Sequence, residues 1–164
     1  MMRGYRLIAI LLLAAAPSFA SALSYTLTPS AVQAVAGGTV LLGGTLQNTG
    51  AADLFLNDFS VQFDPPAGAY LSADPNYFFE NVPGVLSAGE QYTGNIFELF
   101  VSPDAPPGTF TGSGTIYGGL DAFANDNLGI RTFTVILATP EPAAAFLLAT
   151  GLAAIEIYRR RAAK

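Results

Sequence analysis

The sequence predicts an all-β protein: a small antiparallel β-sandwich of immunoglobulin-like layout, flanked by an N-terminal signal peptide and a C-terminal transmembrane helix. Three observations lead there. Between residues 23 and 138, short runs of alternating apolar and polar residues recur roughly every ten positions. Clusters of Gly, Pro, Asn, Asp and Ser punctuate them as turns, and no part of the interval repeats apolar residues at helical spacing. Finally, both chain ends are apolar and carry basic residues, while the middle is acidic.

Residues 1–22 read as a secretory signal peptide. Arg3 and Arg6 make the positive n-region, Leu7 to Ala16 the apolar core, and Pro17 stops the helix. Small-x-small sites follow at Ser18-Phe19-Ala20 and Ala20-Ser21-Ala22, and cleavage after Ala22 is favoured. The apolar core is too short to cross a bilayer by itself.

The sandwich domain, 23–138, then unfolds strand by strand. Tyr25 and Leu27 alternate with Thr26 and Thr28. Residues 31–35 suit a short edge strand, ended by Gly37-Gly38. Val40, Leu42 and Leu46 face inward in the next strand, with Gly44 in the remaining inward slot, and Asn48-Thr49-Gly50 is a turn. Leu54 and Leu56 share one parity; Phe59, Val61 and Phe63 share the other. A bulge or tight turn is therefore expected at Asn57-Asp58. Residues 69–88 are the least regular, with Tyr70-Leu71, Tyr77-Phe78-Phe79 and Val85-Leu86 interrupted by Asp74-Pro75 and Pro83-Gly84. Phe97, Leu99 and Val101 share one side of the following strand. Phe110, Gly112, Gly114 and Ile116 alternate with Thr and Ser; residues 118–129 read as a polar loop; Phe133, Val135 and Leu137 face inward at the end. Seven or eight antiparallel strands result. The cysteines and tryptophan of antibody domains are absent, so the likeness is one of architecture, and a jelly roll is the alternative.

Charge narrows the partners. Between residues 23 and 142 there is one basic residue, Arg131, against eleven acids. Basic ends around an acidic middle are what two cytoplasmic ends and a translocated middle would show. Phosphate binding needs clustered Lys or Arg, so a nucleic-acid partner is excluded. With no cysteine, no disulfide can brace the domain, and its core must hold it alone.

Catalytic chemistry finds few residues to work with. The absence of His and Cys removes the usual triads, thiol nucleophiles and the commonest zinc ligands, and the one lysine, Lys164, closes the chain. Glu80, Glu90 and Glu98 are the carboxylates to consider for glycoside hydrolysis, but no spacing pairs them. Asp121, Asn125 and Asp126, with Asn127, form the densest candidate oxygen-ligand set for Ca²⁺. Asp53, Asn57 and Asp58 form a second. Neither has EF-hand spacing, and Asx turns explain both. Tyr77, Phe78 and Phe79, with Tyr70 and Tyr92, either offer a surface for stacking sugar rings or belong to the core. No cofactor is called for.

The last 26 residues organise the functional reading. Pro140-Glu141-Pro142 is a stiff extended tripeptide presenting one carboxylate. The apolar run from Ala143 to Tyr158 follows; as a helix it is about 24 Å long against a hydrocarbon core of about 30 Å. Arg159, Arg160 and Arg161 form a basic stop, and Glu156 can pair with Arg160 one turn away. This tail, residues 139–164, resembles the PEP-CTERM sorting signal of bacterial exported proteins. The resemblance rests on Pro140, Glu141 and Pro142, the stretch Leu147-Leu148-Ala149-Thr150-Gly151-Leu152, and the three arginines. It implies an exosortase as partner, transit through the inner membrane as a single-pass intermediate, and a final place at the cell surface or in the matrix with exopolysaccharide. The expectation is an exported, non-enzymatic protein. The alternatives are a carbohydrate-binding module and a plain membrane-anchored periplasmic domain that is not processed.

Overall fold

The computed structural model describes residues 22–138. Nine strands, one short α-helix and one 3-10 turn follow in order: β1 (Leu23–Leu27), β2 (Ala31–Ala34), β3 (Thr39–Asn48), β4 (Leu54–Phe63), the 3-10 turn (Ala67–Ala69), β5 (Leu71–Ala73), α1 (Tyr77–Asn81), β6 (Val85–Leu86), β7 (Gln91–Val101), β8 (Gly108–Gly119) and β9 (Asp126–Leu137). They form a four-stranded sheet, β1-β3-β7-β5, facing a five-stranded sheet, β2-β9-β8-β4-β6. The first matches the A-B-E-D order of immunoglobulin-like domains, and β9-β8-β4 matches G-F-C. The expected all-β sandwich is present. The predicted signal peptide and transmembrane helix lie outside the described residues, and among those described no helix is long and apolar enough to cross a membrane.

One edge departs from the antiparallel expectation: β2 pairs with β9 in parallel, Ala31 opposite Thr134. The chain changes sheets here without reversing. Thr28 N–H still donates to Gly43 O in the first sheet, and two residues later Ser30 O accepts from Thr134 N–H in the second.

Three bulges set which side chains point inward. In β4, Leu56 pairs with Gly118 but Asp58 with Tyr117, leaving Asn57 as the extra residue at the expected parity change. In β7, Leu42 faces Phe97 while Gly43 faces Asn95; Ile96 and Phe97 therefore both turn inward, each fully buried. In β9, Leu128 is the extra residue between Asn127 and Gly129. That last ladder corrects the long polar loop. Pairing continues through Tyr117↔Asn127 and Gly118↔Asp126, and only residues 120–125 connect the strands. Main-chain pairing does not depend on apolar side chains, so a polar composition concealed it.

The helix α1 also corrects the expectation of strands and turns alone. Asp74 Oδ1 accepts from Asn76 N–H just before it, Val82 N–H closes it on Phe78 O, and Asn81 Nδ2 donates to Tyr77 O. Five residues are too few to show a helical period.

Aromatic rings and glycines interdigitate in the core. Phe78 stacks on Phe59 at 4.9 Å, Phe59 meets Phe97 at 5.1 Å, and Phe97 meets Phe133 at 5.4 Å. Space for these rings comes from β8. A methyl at Gly112 would lie 2.7 Å from Phe133 Cζ, and one at Gly114 would lie 3.0 Å from Phe59 Cζ. Gly112→Ala is expected to destabilise the domain by about 1–3 kcal/mol, because the methyl would also lie 2.6 Å from Gln62 O of the neighbouring strand, read from the urea midpoint; an unchanged midpoint would show that ring and strand both give way freely.

Tyr25 is fully buried, and its hydroxyl meets no hydrogen-bond partner among the described residues. Burial pushes the phenol well above its ordinary range, partly opposed by Arg131, whose guanidinium lies 5.8 Å from the ring centre. The fold therefore favours the neutral form. Stability should be flat below the unfolded-chain value near 10 and fall above it, as the unfolded chain releases a proton that the folded one keeps. Tyr25→Phe should reduce that alkaline decline, leaving the part due to Tyr92, whose phenol is also pushed up by burial, and hold or raise stability at neutral pH by about 1 kcal/mol. Unfolding curves at pH 7 and pH 11 check both.

Candidate functional site

Three regions stand out once the fold is assembled: the connection 120–125, the aromatic helix α1, and a cleft along one side of the sandwich. The end of β8, the start of β4 and the start of β7 share one end of the molecule, because Gly119 pairs with Phe55 and Gln91 with Gln47. Asn48 ties that end together. Its buried amide donates to Ala52 O and Leu86 O at 2.8 Å, and its Oδ1 accepts from Gly50 N–H, which completes the expected turn.

At the same end the bulge residue Asn57 clamps the 120–125 connection, its Nδ2 donating to Asp121 O at 2.9 Å and to Ala124 O at 2.8 Å. The two candidate Ca²⁺ sets are thereby brought side by side, but as donor and carbonyl rather than as ligands. Asp121 Oδ1 accepts from Phe123 N–H, Asp58 Oδ1 accepts from Phe59 N–H, and Asp126 sits in β9. Among the described residues no group of three acids is gathered for a metal. Asp53 and Asn125 are exposed. The connection carries Phe123, 96% exposed, and Leu120, 57% exposed. Asn57→Ala should loosen it: faster hydrogen exchange at residues 121–125, with a global loss of about 1–2 kcal/mol.

The predicted aromatic surface divides. Phe78 is core, 2% exposed, and is unavailable to a ligand; Phe79 is 52% exposed and meets Phe78 edge-on; Tyr77 is half-buried. The helix causes this, since consecutive residues point about 100° apart and cannot form one flat platform. Tyr70 packs edge-on against Phe110, and Tyr92 donates to Asn95 O. The three carboxylates fall on different segments. Glu80 is on α1, Glu98 is well along β7, and Glu90 precedes that strand with Oε2 accepting from Ser87 N–H.

The side cleft was not legible beforehand. It holds about 410 Å³ between β4 and β5, and its lining includes Phe59, Val61, Phe63, Leu71, Ala73 and Asp74. The three β4 residues are inward-facing as expected, but only half-buried, because β6 covers no more of β4 than Leu54 and Phe55. A second apolar groove, of about 420 Å³, lies at the opposite end from the 120–125 connection, where Val35, Ala105, Pro107, Leu137 and Ala138 meet. Pro140, Glu141, Pro142, Arg159, Arg160 and Arg161 lie outside the described residues.

No family model and no curated protein matches the chain. Solved structures resemble it at low identity. A PapD-like domain of human CEP192 is 10% identical, covers 85% of this chain and 99% of its own, and gives a TM-score of 0.46. WR4, a Caenorhabditis elegans member of the MSP family, is 13% identical over 70% of this chain and 97% of its own, with a TM-score of 0.41. The secreted serine protease VesC of Vibrio cholerae is 18% identical over 79% of this chain but only 26% of its own, with a TM-score of 0.44.

Proposed function

We propose that the chain is an exported, non-catalytic surface or matrix protein that an exosortase sorts through its tail, in association with exopolysaccharide. The observation that carries this is the order Pro140-Glu141-Pro142, apolar run, Arg159-Arg160-Arg161, behind a body with one basic residue and a signal-like N-terminus. The absence of His and Cys from the sequence, and the lack of any gathered group of three acids among the described residues, support a binding or structural role over a catalytic one.

The geometry suits such a tail. β9 runs from the 120–125 connection to Leu137 at the far end, so an anchor after residue 138 would hold the 120–125 end away from the membrane. At the N-terminus, Ala22 O accepts from both Thr49 N–H and Thr49 Oγ1–H. A mature chain starting at Ser21 would keep those bonds. This favours cleavage after Ala20 over the site after Ala22 that the sequence pattern suggested.

Mass spectrometry of protein from the cell envelope tests both ends. The expected mature N-terminus is Ser21, and the expected C-terminus is one trimmed after the Pro-Glu-Pro tripeptide when an exosortase is active. Replacing Pro140, Glu141 and Pro142 by alanines should leave the chain full length in the membrane. An intact Lys164 in cells with an active exosortase would overturn the sorting reading.

A further inference from the structure

The side cleft is bordered by two strand edges that no strand covers. Beyond Phe55, β4 is paired only with β8, and β5 is paired only with β7. The bulge at Asn57 decides where the main-chain groups of β4 point. Before it, Leu56 N–H donates to Gly84 O on the β6 side. After it, Asp64 N–H donates to Thr111 O of β8. Strand alternation then turns Gln62 and Ser60 to β8 as well, and turns the N–H and C=O groups of Phe63 and Val61 to the open side. Phe59 N–H, where that edge begins, is held by Asp58 Oδ1. The side chains of Phe59, Val61 and Phe63 enter the cleft opposite Leu71 and Ala73. A row of main-chain donors and acceptors beside an apolar trough is the complement of one more β-strand.

We propose that this cleft is a β-augmentation site: it takes an extended segment of a partner protein that pairs antiparallel with residues 60–63 of β4 and sets alternate apolar side chains into the trough. Charge defines the segment further. Asp58 and Asp64 bracket the edge, Asp74 lines the cleft, and Arg131, the one basic residue among those described, is on β9, two strands away. The segment therefore carries Lys or Arg on its flanks. A second copy of this acidic domain would be repelled. A sugar needs polar side chains converging on it, and the lining offers Ser72 and Asp74 alone.

The probe is acetyl-Lys-Val-Thr-Val-Thr-Val-Lys-amide, titrated into the full chain in detergent micelles against a micelle-only control. Opposed residues of an antiparallel pair share a face, so the valine amides are the ones that bond to β4. Saturable binding is expected, with slowed hydrogen exchange at Val61 and Phe63. N-methylating the valine amides should weaken it at least about tenfold, and N-methylating the threonine amides less than about threefold. No binding above the control at about 1 mM, equal tolerance of both methylated peptides, or protection elsewhere on the domain would overturn the proposal. Protection that appears without peptide as the protein is concentrated would assign the edge to a second copy, and would overturn it too.

Discussion

The interlocking of large rings with missing side chains across the two sheets is what the domain depends on. Phe78, Phe59, Phe97 and Phe133 form a continuous chain of ring contacts from α1, through both sheets, to β9. It closes because Gly112 and Gly114 in β8 leave room for it. With no disulfide, the cohesion of the two layers comes from this burial. Ring pairs of this kind contribute about 0.5–1.5 kcal/mol each beyond their area. Protein interiors are close-packed, so added volume on β8 is felt directly by the rings.

A single inserted residue, Asn57, shapes three further features. It reverses the parity of β4, so Leu54 and Leu56 face the core before it and Phe59, Val61 and Phe63 after it. Its amide fixes the 120–125 connection on which Phe123 projects. It also redirects the main chain of β4, placing unpaired donors and acceptors along the apolar cleft. Bulges commonly re-aim side chains and end pairing beside functional surfaces. Here one bulge couples the core, a loop and an open edge.

The charge layout sets the body apart from the chain ends. Ten acids and one arginine fall among the described residues, against basic clusters near both termini. The N-terminal strand starts at the end that bears the 120–125 connection, and β9 finishes at the other. The apolar groove of Val35, Leu137 and Ala138 lies at the end where β9 finishes.

Much of the sandwich could be read in advance, because strand alternation is local. The inward sets Val40-Leu42-Leu46, Phe59-Val61-Phe63, Phe97-Leu99-Val101 and Phe133-Val135-Leu137, and the parity break at Asn57, all appear as period-two patterns written into neighbouring residues. The order of tail residues, too, is a property of the sequence alone. Other features needed the third dimension. Phe78 became core because five residues coiled where too few existed to show a period. The ladder through Tyr117 and Asp126 formed from main-chain bonds that side-chain composition does not encode. Phe59, Val61 and Phe63 stayed half-buried because β6 stops two residues into its pairing. Sequence determines which face of a strand is apolar; only the assembled sheets decide whether another strand arrives to cover it, since that depends on contacts between residues far apart in the chain.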